Sequence, residues 1–144
     1  MKSLFLTLGF LAVSLSGMAQ KGAKIEFFAK DNTVDYGKVA KGSDDGLRTF
    51  EFTNTGDAPL IISNVESTCG CTVPSKPTEP IMPGKMGKID VKYNMNPGKI
   101  NKTIYVDSNA VNVDKGRVAL HIIGEVINKQ EVNLLEKKKV GPMK

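Results

Sequence analysis

Short runs of alternating apolar and polar residues, separated by turn-forming residues, constrain the fold of this chain more than any other feature. In the segment 48–54, Phe50 and Phe52 share one parity, whereas Thr49 and Glu51 share the other. A period of two residues is the pattern of a β-strand with one buried and one solvated face. Strand-like runs also occur at 24–28, 33–39, 60–67, 88–93, 102–107 and 117–126.

These runs predict an all-β protein. Glycine, proline and asparagine separate them, for example at Asn96-Pro97-Gly98, and no segment has a strong helical period. About seven short strands with such turns are typical of a single immunoglobulin-like antiparallel β-sandwich. The break at Thr55-Gly56-Asp57 fits either a hairpin or a corner between two sheets. Tryptophan is absent, so the Cys…Trp…Cys framework of antibody domains is missing.

The N-terminus has the features of a secretory signal peptide. Met1 and Lys2 precede an apolar run from Leu4 to Leu15, and Ser16-Gly17-Met18-Ala19 supplies small residues before a cleavage site. The run is too short to span a bilayer core of about 30 Å. We therefore predict a signal peptide at 1–19, a sandwich domain at 20–127 and a polar C-terminal tail at 128–144. The mature protein is expected to be periplasmic or secreted, without stable membrane insertion.

The charge distribution argues against nucleic-acid binding. The chain has 20 lysines and arginines against 15 acidic residues, and the lysines are spread along it without interleaved aromatic residues. Such spacing is typical of a solvated surface. No catalytic residue is predicted, because the serines lack a glycine elbow and His121 is the only histidine. No cofactor is predicted either.

Both cysteines lie in the segment Ser67-Thr68-Cys69-Gly70-Cys71-Thr72. In an extended strand, Cys69 and Cys71 would lie about 6.5–7 Å apart, whereas a disulfide needs Cβ atoms about 3.8 Å apart. The pair can close only if the backbone folds sharply at Gly70, which glycine permits. An oxidising compartment favours a disulfide. A metal-bound pair, a thiol–disulfide enzyme and two buried free thiols remain alternatives.

The metal and enzyme alternatives have little support in the remaining sequence. A closed zinc site needs four ligands, and only two cysteines and one histidine exist. Met82, Met86 and Met95 are candidate soft donors for Cu(I), but none has a distinctive spacing. A catalytic cysteine usually lies beside a helix N-terminus or a cation, and no helix is predicted there. No metal site is therefore predicted.

A proline-rich stretch follows Cys71 and is predicted to be a surface connection, because proline removes backbone donors. Connections at the ends of sandwiches often bind partners. The candidate binding loop consists of Thr72, Val73, Pro74, Pro77 and Pro80.

Several motifs resemble one family. They are Phe50-x-Phe52-x-Asn54-x-Gly56-x-x-Pro59-Leu60-x-Ile62, Cys69-Gly70-Cys71-Thr72, Pro83-Gly84, Ser108-Asn109 and Leu120-x-Ile122-x-Gly124. Between Val34 and Val126 the chain resembles the bacterial exported domain-of-unknown-function family number 1573. That family is similar to the sandwich group that includes major sperm protein and the periplasmic pilus chaperones. The resemblance implies an immunoglobulin-like sandwich and transfers no catalytic residue.

We therefore expect an exported, non-enzymatic β-sandwich that serves as a protein-interaction or envelope structural module. Its partner is expected to be an envelope or extracellular protein. The alternative is a thiol-dependent metal-binding or redox protein that uses Cys69 and Cys71.

Overall fold

A computed structural model describes residues 21–70 and 72–128, except for the side chain of Val73. The predicted signal peptide at 1–19, Cys71 and the predicted tail beyond Asn128 lie outside the described residues. The described chain forms eight strands: β1 (Ile25–Phe27), β2 (Thr33–Ala40), β3 (Leu47–Asn54), β4 (Ile62–Ser67), β5 (Thr72–Ser75), β6 (Met86–Tyr93), β7 (Gly98–Ser108) and β8 (Arg117–Ile127). Two short 3-10 turns lie at Lys30–Asn32 and Asp114–Gly116.

The strands form two four-stranded sheets with the orders β1-β3-β6-β5 and β2-β8-β7-β4. Because β3 and β4 belong to different sheets, the break after Asn54 is a corner between sheets and not a hairpin. The two inner faces supply one hydrophobic core. The predicted all-β sandwich is thus confirmed, with one strand more than the seven expected.

The alternation of the strands predicted the core correctly. Fully buried side chains include Phe50 and Phe52 of β3, Ile89 and Val91 of β6, and Leu120 of β8. Each shares its parity with the other buried residues of its strand. Burial of such side chains stabilises a fold by about 1.5–3 kcal/mol each.

One prediction about strand direction is wrong. The sandwich was expected to be antiparallel, but β2 pairs with β8 in parallel, with Val34 opposite Ile122 and Val39 opposite Val126. A tight hairpin forces its two strands to be antiparallel. No hairpin joins β2 to β8, because β2 enters its sheet from β1 of the other sheet. The direction of β2 relative to β8 is therefore not constrained by a tight turn. The register shifts between Asp35 and Lys38, as expected of a bent edge strand.

The segment after Cys71 also differs from its prediction. Thr72–Ser75 is not a connection but the short edge strand β5, which pairs antiparallel with β6. Pro74 lies opposite Val91 within this strand. Proline is tolerated here because an edge strand has one side on which no backbone donor is needed.

Candidate functional site

An open cleft of about 480 Å³ lies beside the sheets, where β5 ends. Loop residues 76–80 form one wall, and Gly87, Lys88 and Asp90 of β6 form the other, with Ser75 and Ile81 at the ends. We call this feature the β6 cleft. Its volume lies within the range of about 300–1,000 Å³ that is typical of ligand pockets.

One end of the loop is anchored through Ile81. Leu60 and Ile81 exchange two backbone hydrogen bonds of 2.8 Å. The carbonyl of Ile81 also accepts a hydrogen bond of 2.9 Å from Nδ2 of Asn54. Because Asn54 is fully buried, these bonds are shielded from water. The loop is therefore fixed to the core at this end.

The other end of the loop is held at Lys76, the residue after β5. The Lys76 Nζ donates a hydrogen bond of 2.9 Å to the backbone carbonyl of Ser63 in β4. This contact links the loop to the edge of the second sheet. The cleft is thus largely preformed, as ligand sites usually are.

The charged side chains of the cleft differ in their hydrogen bonds and ion pairs. Asp90 accepts a hydrogen bond of 2.6 Å from the Thr49 hydroxyl. The exposed side chains of Glu79 and Lys88 take part in none of the ion pairs found among residues 21–70 and 72–128. Lys88 therefore presents an ammonium group on the solvated face of β6 beside the cleft.

The predicted binding loop needs correction in part. Thr72 is buried and Pro74 is half-buried, and both belong to β5. Only Pro77 and Pro80 of the five predicted residues line the cleft, and the side chain of Val73 lies outside the described part. Sequence reasoning missed Ile81, Gly87, Lys88 and Asp90 as cleft residues. The one signal for Lys88 and Asp90 was their solvated parity on β6.

Cys69 lies just beyond β4, at the opposite end of β5 from the cleft. The Thr68 amide donates to the carbonyl of Thr103, and the Cys69 amide lies 3.4 Å from the hydroxyl of Ser67. The Cys69 sulfur lies 3.9 Å from Oγ1 of the buried Thr72. Within the described ranges, which omit Cys71, no cysteine is a free thiol. Cys69 is half-buried at this position, whereas Thr68 and Gly70 are exposed.

The candidate soft donors differ in their exposure to solvent. Met82 and Met86 are exposed, whereas Met95 is buried in the core. His121 lies on the solvated face, as its parity predicted, with Nδ1 3.2 Å from Thr103 Oγ1. Across the part of the chain that the structure covers, no group of three His, Cys, Asp or Glu side chains has the geometry of a metal site.

Two ion-pair clusters contain the groups whose pKa values are shifted, and neither lines the cleft. In the first, Arg48 binds Asp44 at 2.7 Å and lies 4.1 Å above the Tyr36 ring. The hydrogen bond from Arg48 lowers the pKa of Asp44. Desolvation raises the pKa of Tyr36 to about 12, and its hydroxyl donates to the carbonyl of Gly46.

In the second cluster, Arg117 binds Asp107 at 2.7 Å and also pairs with Glu66 on the solvated face of β4, β7 and β8. The hydrogen bond from Arg117 lowers the pKa of Asp107, and that of Arg117 rises in return. In each cluster, the arginine is paired with the carboxylates of that same cluster. We interpret them as structural features of the surface.

Taken together, the two sheets, their corner connection and their common core define an immunoglobulin-like β-sandwich. The chain belongs to the family described as Protein of unknown function (DUF1573), which matches residues 27–126. The resemblance inferred from the sequence motifs is confirmed. No curated protein matches the chain.

Similar solved structures support the same fold. A protein of unknown function from Porphyromonas gingivalis W83 is 14% identical with a TM-score of 0.61, over 73% of this chain and 47% of that one. The ASH / PapD-like domain 7 of human CEP192 is 10% identical with a TM-score of 0.54, and the match covers 82% of this chain and 96% of that domain. The YadV chaperone is 16% identical with a TM-score of 0.51, and the match covers 78% of this chain and 58% of the chaperone. This chain thus spans about half the length of the Porphyromonas protein.

The described residues contain no helix with the length and apolar character needed to cross a membrane.

Proposed function

We propose that this chain is a non-enzymatic binding module that recognises another protein of the cell envelope or extracellular space through the β6 cleft. The observation that carries the proposal is the preformed cleft. Its loop is fixed at one end through Ile81 and at the other through Lys76. Pro77 and Pro80 lower the conformational freedom that the loop would lose on binding.

The comparisons support a binding role only in general terms. One similar structure is named as a chaperone, and another is a PapD-like domain. A shared fold at such low identity does not define a function. The proposal therefore depends on the cleft and on the apolar and charged side chains around it.

Site-specific photocrosslinking tests this function. A photoreactive residue replaces Thr78, which is exposed in the middle of the loop, and in a control variant it replaces Asn101, which is exposed on β7. We expect the Thr78 variant to give a discrete adduct in the exported fraction of the source organism, identifiable by mass spectrometry. The Asn101 variant should not give it. The absence of an adduct from Thr78, or equal yields from both positions, would overturn the proposal.

We further propose that export follows cleavage of the signal peptide between Ala19 and Gln20, and that Cys69 and Cys71 form a disulfide in the exported protein. Cys69 is not a free thiol, and Cys71 is the only other cysteine in the chain. An exported protein matures under oxidising conditions, in which disulfides persist.

Intact-mass measurement tests both points. The native protein should have the mass of a chain that begins at Gln20, less two hydrogen atoms. Without reductant it should take up no alkylating agent, and after reduction it should take up two alkyl groups. Alkylation of the unreduced protein would exclude the disulfide, and a mass that retains residues 1–19 would exclude the cleavage site.

The same cysteines define a second candidate function, thiol-dependent redox exchange or metal binding. The favouring observation is that both cysteines of the chain lie in one three-residue segment. Such a small ring is expected to be readily reduced. Metal analysis of the purified protein and titration with a small dithiol distinguish this function. It is excluded if the native protein contains neither metal nor an exchangeable disulfide.

A further inference from the structure

The backbone of β6 has an open edge inside the cleft. Alternate residues of an antiparallel strand direct their N–H and C=O groups to opposite sides. The Tyr93 amide donates to the carbonyl of Gly46, just before β3. By this alternation Asp90 and Lys88 face the side of β5. The pairing with β5 ends at Ser75 opposite Asp90.

Lys88 is therefore the first residue of this edge beyond the end of β5. Over the residues described, no hydrogen bond joins its amide or carbonyl to the loop. Met86, two residues further, has the same orientation by parity. The edge thus offers the donor and acceptor pattern that would continue β5 by about three residues, or about 10 Å.

The chain's own loop is poorly suited to occupy this edge. Residues 76–80 leave the sheet after Ser75 and form the opposite wall of the cleft. Pro77 and Pro80 have no N–H group and are therefore unable to supply a regular set of backbone donors. Ile81 then pairs with Leu60 instead of β6.

Side chains around the edge indicate what kind of strand would fit. Gly87 has no side chain, and its inner side faces Phe52 and Ile81, so a small aliphatic side chain placed opposite Gly87 would meet apolar atoms. Lys88 points to the solvated face, where a carboxylate directly opposite it would form a favourable cross-strand pair. Met86 is 59% exposed on that same face, and an apolar neighbour would cover it.

We propose that the β6 cleft binds an extended acidic–aliphatic peptide segment of a partner protein, which adds to the sheet antiparallel to β6 along Lys88, Gly87 and Met86. This inference rests on the proposed function and specifies its mode of binding. The backbone edge supplies the hydrogen bonds, and Lys88 selects a carboxylate. Strand addition to a free edge is a general mode of peptide recognition.

Titration of the mature protein with labelled peptides tests this mode. The probe is acetyl-Ser-Glu-Val-Leu-Thr-amide, in which Glu is designed to lie opposite Lys88. N-methylation of the Glu nitrogen removes a donor that faces β6 and should weaken binding by about tenfold. N-methylation of the Val nitrogen, which faces away, should change the affinity by less than about twofold. Equal effects of the two methyl groups would overturn strand addition.

Matched protein variants test the charge selection. Lys88→Glu should weaken binding of this probe by about threefold or more. Lys92→Glu makes the same change on the same face, but where β5 already covers the edge, and should have little effect. A probe with Lys in place of Glu should prefer the Lys88→Glu variant. Equal responses of the two variants would contradict the proposal.

Other occupants predict different results. A concentration-dependent dimer that dissociates in the Lys88→Glu variant would assign the edge to a second copy of the chain and overturn the proposal. A rise in probe affinity on deletion of residues 129–144 would assign it to the chain's own C-terminus, with the same consequence. If Thr78 gives its adduct while N-methylation has no selective effect, strand addition fails and the proposed binding function stands. If Thr78 gives no adduct, the proposed function fails.

Discussion

Replacement of Asn54 with alanine is expected to lower the free energy of unfolding by about 3–5 kcal/mol. The side chain is fully buried, and its Nδ2 donates to the carbonyls of Ala58 at 2.7 Å and Ile81 at 2.9 Å. Its Oδ1 accepts from the amides of Gly56 at 3.0 Å and Lys24 at 3.3 Å. Alanine removes the side-chain partner of the Lys24 and Gly56 amides and of the Ala58 carbonyl, whereas the Ile81 carbonyl keeps its bond from Leu60. A buried group left unsatisfied costs about 1–3 kcal/mol. Chemical denaturation monitored by circular dichroism measures the loss.

A control at Asn64 separates this network from a general effect of removing an asparagine. Asn64 is exposed, and its amide lies 3.5 Å from a carboxylate oxygen of Asp107. Asn64→Ala should therefore change stability by less than about 0.5 kcal/mol. Asn54→Asp tests the hydrogen bonds that Nδ2 donates. It retains the side-chain shape and the oxygen that accepts from the two amides, but it directs a carboxylate oxygen towards the carbonyl of Ile81. If Asn54→Ala and Asn64→Ala lowered the free energy of unfolding by equally small amounts, the network would not stabilise the corner.

The same network gives the Phe50-x-Phe52-x-Asn54-x-Gly56 motif a physical explanation. The phenylalanines fill the core, and the Asn54 side chain then joins Lys24 just before β1, the corner, and Ile81 of the loop at one end of the sandwich. Gly56 lies against this point, where an added Cβ would come within 2.1 Å of the Gly22 carbonyl oxygen. The sequence indicated a turn at Gly56, but the partners of Asn54 lie up to 30 residues away and were not predictable from local pattern.

The strands and core were predictable because alternation is a local property. The inward parity of Ile89, Val91 and Tyr93 follows from the neighbouring residues alone, and all three are buried. Strand partners are set by contacts across the whole chain, and β2 found its parallel neighbour β8 about 90 residues away. The spacing of apolar residues along a strand contains no information about which other strand it pairs with.

The cleft illustrates a second limit of the sequence. Proline enrichment indicated a surface connection at Pro77 and Pro80, because local backbone chemistry determines where a loop leaves a sheet, and both residues line the cleft. The same reasoning placed Pro74 in a connection, although an edge strand tolerates proline. The opposite wall depends on where β5 stops along β6. That point is set by tertiary pairing and therefore could not be inferred from the residues of β6 themselves.

Replacement of Phe52 with alanine is expected to lower the free energy of unfolding by about 3–5 kcal/mol. Phe52 is fully buried, and its ring centroid lies 5.3 Å from that of Phe27. A Cβ built on Gly87 would come within 2.5 Å of the end of the Phe52 ring, so the ring packs directly beneath β6. Alanine removes the ring and leaves a cavity that neighbouring strands fill only in part. The same denaturation experiment measures the loss.

Phe28→Ala is the matched control, because it makes the same chemical change at a side chain that is 62% exposed. It should change stability by less than about 0.5 kcal/mol. Phe52→Leu retains much of the buried volume and should cost about 1 kcal/mol. Since Phe52 packs beneath Gly87, the folded fraction of Phe52→Leu should also bind the acidic peptide more weakly than the native protein. An unchanged affinity would show that the β6 cleft keeps its shape independently of the core beneath it.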